Sequence, residues 1–180
     1  MIDQRMQEAM NEQIKWELFS AYLYLSMAAY FKGLNLQGFA RWMEAQTLEE
    51  LSHAIKFYNF VNDRGGSVSM QPIDGPPVSW GSPLEAFEDA YNHEVEVTER
   101  INNLVDLALE LRDHASNTFL QWFVTEQVEE EASTDDVVKK IRLVDKTQGG
   151  LYMLDQELGQ RTFILPPGTT IIAGVTAAGA

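Results

Sequence analysis

The sequence predicts an all-α protein: a four-helix bundle with one long crossover connection and a short fifth helix. The chain of 180 residues contains only 12 glycines and 6 prolines, which leave long uninterrupted stretches between them. In four of these stretches the apolar residues recur at alternating spacings of four and three, the pattern that packs helices side by side at shallow angles. No segment alternates convincingly with the period of two that is typical of a half-buried β-strand.

The helix boundaries follow from residues that begin or end helices. Ser82, Pro83 and Glu85 form a capping box with proline at the first helical position, which predicts the start of the third helix. Asp113 can cap the fourth helix, and paired glycines stop the second and fourth helices. The five predicted helices span, approximately and in order, residues 3–31, 36–64, 83–112, 113–146 and 151–160.

The connections predict the topology of the bundle. The first two helices, and then the third and fourth, are joined by a few residues, so each pair forms an antiparallel hairpin. The loop over residues 65–83, which holds most of the prolines, reaches about 60 Å when extended, whereas a helix of about 28 residues is roughly 42 Å long. We therefore expect this loop to cross the whole bundle. One domain over residues 1–160 and a tail over 161–180 complete the predicted organisation.

Composition excludes several classes of function. The chain carries 27 acidic and 13 basic residues, a net charge of −14, which argues against nucleic acid as a partner because duplex binding needs a cationic surface. The absence of cysteine excludes disulfides, thiolate nucleophiles and iron–sulfur clusters. Neither a secretory signal nor a membrane span is predicted. We therefore expect a soluble, cytoplasmic protein.

Ionisable and polar residues interrupt each apolar seam partway along its helix. Burying an unpaired carboxylate costs at least several kcal/mol, and several carboxylates facing one another would also repel. Such an arrangement persists when the carboxyls stay protonated, when cationic side chains pair with them, or when metal ions lie between them. Since the seams contain no Lys or Arg at that level, we favour metal. The interrupting residues are Glu17 in the first helix, Glu50 and His53 in the second, Glu94 in the third, and Gln127 and Glu130 in the fourth.

Helix geometry supports a pair of metal ions. Residues three apart share a helix face, so Glu50-x-x-His53 and Gln127-x-x-Glu130 each direct two side chains to one point. One Glu from each of two helices and a Glu-x-x-His pair from the others is the ligand plan of carboxylate-bridged di-iron bundles. We assign Glu17, Glu50 and His53 to one ion and Glu94 and Glu130 to the other, with Glu50 as the bridge. Gln127 is a weak ligand or a hydrogen-bonding neighbour, and the ligand types suit Fe(II), Mn(II) or Zn(II).

Further polar residues flank the seams. Glu49, Glu126 and Glu129 have the positions of a solvated helix face, but with Glu130 they can form a third cation site. Tyr24 lies two turns from Glu17 and is either an ordinary core tyrosine or a hydrogen-bonding or radical neighbour of the metal pair. His93 and His114 fall outside the seams, and we expect both on the surface.

The run from about residue 5 to 160 resembles the non-haem ferritins of bacteria and archaea. The stretches that carry this resemblance are NEQI at 11–14, SAYLYL at 20–25, EELSHA at 49–54, FLQWF at 119–123 and EQVEEE at 126–131. The resemblance implies a ferritin-like bundle, a cytoplasmic iron-storage protein, and a hollow shell that is typically built from 24 copies. It also implies that a ferroxidase centre inside each bundle oxidises Fe(II) with O2 or H2O2 as oxidant, and that ferric mineral is stored in the cavity.

The same resemblance assigns residues by position. Glu17, Glu50, His53, Glu94, Gln127 and Glu130 fall on the two-iron centre of the family, Glu49, Glu126 and Glu129 on its third iron site, and Tyr24 on its tyrosine. Haem-binding relatives carry methionine immediately before the histidine of Glu-x-x-His. Ser52 occupies that place here, so no haem is expected.

Two other functions and one segment remain open at this stage. A di-iron peroxidase or oxygenase is the first alternative, although peroxidases of this type often carry a Cys-ligated iron module and oxygenases usually show two Glu-x-x-His pairs. A non-enzymatic shell or scaffold protein is the second. Family members usually end soon after the fifth helix, whereas this chain continues without charge from Thr162 to Ala180. That tail is either a low-complexity extension or a segment that docks on the shell, lines a pore or recruits a partner.

Overall fold

The computed structural model describes residues 1–144 and 146–164, and within these ranges its regular secondary structure consists of five α-helices and no strand. The helices are α1 (Gln4–Gly33), α2 (Gln37–Asp63), α3 (Pro83–Glu110), α4 (His114–Val144) and α5 (Gly150–Leu158). This confirms the predicted all-α class. No helix in the described part of the chain is long and apolar enough to cross a membrane.

The predicted helix starts are confirmed by their caps. Asp3 Oδ1 accepts a hydrogen bond from the backbone of Arg5, and Ser82 Oγ accepts one from Glu85 N. Asp113 Oδ1 accepts from Ser116 N at 3.1 Å. These short-range bonds satisfy backbone donors that have no partner inside the helix.

The crossover is traced by contacts between the long loop and α1. Near the start of the loop, Ser67 and Ser69 hydrogen-bond to Asn11, close to the beginning of α1. Near its end, the Trp80 ring lies 5.3 Å from the ring of Tyr30, close to the end of α1. The loop therefore runs the length of the bundle, so α2 and α3 point in the same direction, as the loop length predicts.

The interior consists of two apolar clusters separated by a polar layer. One cluster includes Met27, Phe31 and Phe87, and the other includes Met10 and Phe123, all of them fully or almost fully buried. The residues that interrupt the seams lie between these clusters. The uncharged tail predicted after Thr162 falls mainly on residues 165–180, which lie outside the described residues, and the division at residue 160 stays a prediction.

Candidate metal centre

The deepest polar group joins α1 to α2. Glu17, Glu50 and His53 are 1%, 2% and 2% exposed, and each offers a ligand atom within 4.8 Å of the others. His53 Nδ1 lies 3.5 Å from Glu50 Oε2 and 3.9 Å from Glu17 Oε2. Glu17 Oε2 and His53 Nε2 are buried without a hydrogen-bond partner. Because buried polar atoms are almost always paired, an orphaned carboxylate oxygen here indicates a position for a cation.

Burial sets the protonation state of this group. Desolvation raises the pKa of Glu17 to about 7, and desolvation together with the charges of Glu94 and Glu17 raises the pKa of Glu50 well above its ordinary value. The raised pKa of Glu50 favours its protonated form at neutral pH. A cation that binds here must displace that proton.

His53 is kept neutral by the same burial. Its pKa is lowered to about 3, first by desolvation and then by the charge of Lys56. The rings of Trp122 and Phe123 lie 5.4 Å and 5.8 Å away and exclude water from one side. A neutral imidazole with Nδ1 directed at two carboxyls retains the lone pair that a metal ligand needs.

Glu94 faces this group from α3 and is 1% exposed. Tyr24 donates its hydroxyl hydrogen to Glu94 Oε1, and Gln127 Nε2 donates to Glu94 Oε2 at 3.2 Å. Desolvation raises the pKa of Glu94 to about 7, although both hydrogen bonds act in the opposite direction. Tyr24 therefore contacts the centre through Glu94 on the neighbouring helix, and Gln127 has the geometry of a hydrogen-bonding neighbour.

Glu130, on α4, is buried and belongs to a second acidic group. Its Oε2 accepts a hydrogen bond from the buried Gln46 at 2.7 Å. Burial and then the charges of Glu94 and Glu49 raise its pKa well above the ordinary value. Within the described residues, Glu94 and Glu130 do not share a close group of three ligands like the one formed by Glu17, Glu50 and His53.

The second acidic group contains Glu49, Glu126 and Glu130, with ligand atoms within 4.8 Å of one another. Glu130 is buried, whereas Glu49 and Glu126 are half-buried. Desolvation, and then the charges of Glu49 and Glu129, raise the pKa of Glu126. Glu129 itself is exposed and lies outside the close group. Three of the four residues named for a third site are thus brought together.

Two cations lie next to these carboxylates, although none was expected from the seams. Arg161, which follows α5, donates to Glu49 Oε2 at 2.8 Å. Lys56 Nζ lies 3.1 Å from the centroid of the Trp122 ring, and its charge acts on both Glu126 and His53. Both cations approach the half-buried acidic group, whereas within the described residues neither Lys nor Arg forms a salt bridge with the buried Glu17. A metal ion is therefore favoured at the deep group of Glu17, Glu50 and His53. The outer group of Glu49, Glu126 and Glu130 already has cationic side chains beside it, so it needs a metal ion less.

The expectation that His93 is on the surface is wrong. His93 is 7% exposed, and its Nε2 lies 2.7 Å from Ser20 Oγ on α1. Burial and the charge of Arg100 lower its pKa to about 4. The residue lies three positions after Ala90 and four before Val97, so it flanks the seam on the side facing α1. His114 is exposed, as expected.

Two glutamines complete the centre and were not singled out as site residues. Gln13 donates to Glu17 Oε1 at 2.8 Å, and Gln46 donates to Glu130. Each lies four residues before a carboxylate of its own helix, Gln13 before Glu17 and Gln46 before Glu50. A buried amide one turn before a seam carboxylate is the signal that could have identified them. Chemically, the arrangement offers hard oxygen ligands and one nitrogen, a set that suits divalent first-row metals.

The chain matches a known family and known proteins over most of its length. A family model named Ferritin and described as a ferritin-like domain matches residues 7–144. A bacterial non-heme ferritin of Bacteroides fragilis is 43% identical over 161 residues, which cover 89% of this chain and 100% of that protein. A bacterial non-heme ferritin of Staphylococcus aureus is 38% identical over 163 residues, covering 91% of this chain and 98% of that protein.

Solved structures of two ferritins have the same fold as this chain. An Archaeoglobus fulgidus ferritin engineered into a closed form superimposes with a TM-score of 0.90 at 51% identity, covering 91% of this chain and 100% of that one. An open-pore ferritin from the same archaeon superimposes with a TM-score of 0.88 at 51% identity, covering 90% of this chain and 99% of that one. Both similarities extend over the whole bundle and its crossover.

Proposed function

This chain belongs to the ferritin family, and from that premise we propose that it is an iron-storage ferroxidase. Two Fe(II) ions are its substrate and bind within each bundle. Each gives up one electron to O2, and the ferric product moves to the cavity of a hollow shell, where it is stored as mineral. The observation that carries the proposal is the fully buried Glu17, Glu50 and His53 group, with an orphaned carboxylate oxygen and a neutral imidazole.

The buried carboxyls supply the driving force for binding and oxidation. Glu17 and Glu50 release protons when Fe(II) arrives, and their anionic oxygens then stabilise Fe(III) over Fe(II) because hard ligands favour the higher charge. The electron pair from two ions reduces O2 to H2O2 with uptake of two protons. The raised pKa values of Glu17 and Glu94, both about 7, place this proton exchange close to neutral pH.

We propose that the second ion is held by Glu94 and Glu130, with Glu50 between the two ions. Tyr24 and Gln127 would then orient the two oxygens of Glu94, each through one hydrogen bond. Glu130 Oε2 accepts a hydrogen bond from Gln46, which would orient this second carboxylate. Catalytic roles for Glu17, Glu50, His53, Glu94, Gln127, Glu130 and Tyr24 are part of this proposal.

A third iron site is proposed at Glu49, Glu126 and Glu130, with Glu129 at its exposed side. Its position next to Glu130 suits an ion that is leaving or approaching the pair. The half-buried carboxylates carry a negative potential towards solvent, which attracts cations.

Assembly into a homo-oligomeric shell, with 24 copies, is proposed from family membership. The two Archaeoglobus fulgidus ferritins are described as an open-pore form and an engineered closed form, and we propose that the present chain forms a cage. Cytoplasmic location, the absence of haem, and the absence of nucleic-acid and membrane partners stay predictions.

Aerobic loading tests this function. Fe(II) is added in steps to the metal-free protein at low ionic strength, and iron is measured in the protein peak after gel filtration. We expect iron to accumulate far beyond the number of binding sites, together with O2 consumption. In the matched variant Glu17→Gln/Glu50→Leu, the peak elutes at the same volume but rapid oxidation is lost. Iron oxidation at an unchanged rate in this variant would favour the non-enzymatic shell or scaffold.

The same assay distinguishes the peroxidase alternative. With H2O2 supplied in the absence of O2, a peroxidase would reduce the peroxide with an organic electron donor and without storing iron. The storage function predicts that peroxide is consumed in proportion to Fe(II) oxidised and that the iron remains with the protein. Turnover of peroxide without retained iron would contradict the proposal.

A further inference from the structure

The short helix α5 is fixed against the start of α2. The buried Asp155 accepts hydrogen bonds at Oδ1 from Gly38 N at 2.7 Å and Phe39 N at 3.1 Å, and so caps α2 from another helix. Arg41 Nη1 donates to Gly159 O at 3.2 Å at the end of α5. These bonds place the residues after α5 alongside α2, the helix that carries Glu49 of the second acidic group.

Arg161 uses this position to reach the carboxylates. Its guanidinium carbon lies 4.2 Å from the centroid of the Trp42 ring, and Nη2 donates both to Gln46 Oε1 and to Glu49 Oε2, the latter at 2.8 Å. The side chains of Arg161 and Glu49 are only 23% and 22% exposed. A half-buried ion pair that also stacks on an aromatic ring is screened less by solvent than a fully exposed one.

Gln46 extends the effect of Arg161 to a further carboxylate. Gln46 is fully buried, accepts from Arg161 through Oε1, and donates through Nε2 to Glu130 Oε2 at 2.7 Å. Two of the three carboxylates in the outer group are thus held by Arg161, Glu49 directly and Glu130 through Gln46.

We propose that Arg161 is a built-in counter-cation that competes with a metal ion for the group of Glu49, Glu126 and Glu130. The inference rests on the proposed function and adds to it a residue from beyond the bundle that sets the affinity of the third site. To bind all three carboxylates, a metal ion must open the ion pair between Arg161 and Glu49. The outer group therefore binds its ion more weakly than the deep group of Glu17, Glu50 and His53 does.

Calorimetric titration of the assembled, metal-free protein with Zn(II) alone tests this role, since Zn(II) is not oxidised. We expect two tight ions per chain and a weaker third one. Arg161→Gln should tighten the third dissociation constant about three- to tenfold, the size expected for loss of a competing half-buried ion pair, and leave the ion at Glu17, Glu50 and His53 unchanged. Arg161→Lys, which keeps the charge, should stay close to the unmodified protein.

Arg41→Gln is the matched control, because it removes one positive charge and one contact with α5 but does not touch Glu49. It should leave the third constant unchanged. The gain in affinity for the third ion in Arg161→Gln should shrink as the salt concentration is raised, because salt screens the competition between charges. A purely structural effect of the substitution would not respond to salt. Adding Glu49→Gln to Arg161→Gln should abolish the third ion.

The outcomes separate the two proposals. The role of Arg161 is overturned if the third ion binds Arg161→Gln with unchanged or weaker affinity, or if no variant binds a third ion. Two tight ions in the same titration would still support the centre. Absence of the two tight ions from the unmodified protein would instead contradict the proposed function itself.

Discussion

At the scale of single residues, burial shifts four carboxyl groups towards the protonated form, so a metal ion has to displace protons from them. Burial, assisted by their mutual charges, raises the pKa of Glu50 and Glu130 well above the ordinary value and that of Glu17 and Glu94 to about 7. His53 is shifted the opposite way, to about 3, so it is neutral at every pH at which these carboxyls ionise. Metal affinity must therefore rise with pH and release protons.

We predict that the metal-free protein is more stable near pH 5.5 than near pH 8. A carboxyl whose pKa is raised on folding stabilises the fold fully below its unfolded value of about 4.5, and this contribution is lost as the pH rises through about 7. The lowered pKa values of His53 and His93 act in the opposite direction, below about 6.5, but four carboxyls outweigh two histidines in this interval.

Thermal denaturation of the metal-free protein at the two pH values measures this effect. The variant Glu17→Gln/Glu50→Gln is the control, since it lacks two of the titrating groups and should show a smaller difference. A melting temperature that is equal or higher near pH 8 in the unmodified protein would show that these carboxyls are already ionised in the fold.

Tyr24→Phe tests the link between the tyrosine and Glu94. The hydrogen bond from Tyr24 lowers the pKa of Glu94, so its loss should raise that pKa and weaken binding of the second ion. The expected loss is about tenfold in affinity near neutral pH, the size of one buried hydrogen bond, with the first ion unaffected. Zn(II) titration and the pH dependence of Fe(II) oxidation measure it.

Tyr30→Phe is the matched control, because that ring packs on Trp80 far from the centre. If Tyr24→Phe slowed oxidation without weakening the second ion or shifting the pH dependence, the hydroxyl would have a role other than orienting Glu94.

At the scale of elements, the docking of α5 depends on a glycine. A Cβ atom placed on Gly38 would lie 1.6 Å from the backbone oxygen of Asp155 and 2.9 Å from Gly159 N. Because backbone atoms cannot turn aside as a flexible side chain can, Gly38→Ala must push α5 away from α2. The free energy of unfolding should fall by about 2 kcal/mol or more.

Gly33→Ala is the control for this substitution, since nothing lies within 4 Å of its added Cβ and alanine favours the helix. Thermal melts and limited proteolysis after residue 144 report the change. Equal stability of both alanine variants would show that α5 does not pack on α2 in this way. Gly38→Ala should also release Arg161 from Glu49, which links this prediction to the third site.

The sequence predicted local features better than contacts between distant elements. Caps at Ser82 and Asp113 act over three residues, so local residue types identify them. The deep group was also predictable, because helix periodicity alone aligns Glu50 with His53. The contact between Arg161 and Glu49 depends on where α5 docks, which no local pattern encodes. His93 was misplaced because its partner, Ser20, lies on another helix.

At the scale of the whole molecule, a polar layer divides the core into two apolar clusters. Such a layer stabilises the metal-free fold less than apolar side chains of similar volume would, since unpaired buried charge is unfavourable. The centre is therefore a region where stability is given up for metal binding. With a net charge of −14, the chain also repels itself less once cations are bound.

Glu17→Gln/Glu50→Leu is accordingly expected to raise the melting temperature of the metal-free protein by a few °C near pH 8. Assembly should be unchanged in sedimentation analysis, because both side chains are buried within one bundle. Glu99→Gln, at an exposed position, should change stability by less than about 0.5 kcal/mol. A clear loss of stability in the double variant would mean that the carboxyls contribute to the fold without metal.

The central claim is that the bundle interior binds an iron pair and oxidises it. It is tested most directly by anaerobic Fe(II) titration of the assembled metal-free protein, followed by a pulse of O2 with optical and oxygen-uptake detection. We predict about two to three ions bound per chain and then rapid oxidation that is lost in Glu50→Ala. No stoichiometric binding, or oxidation no faster than in buffer, would contradict the claim and leave a shell or scaffold protein.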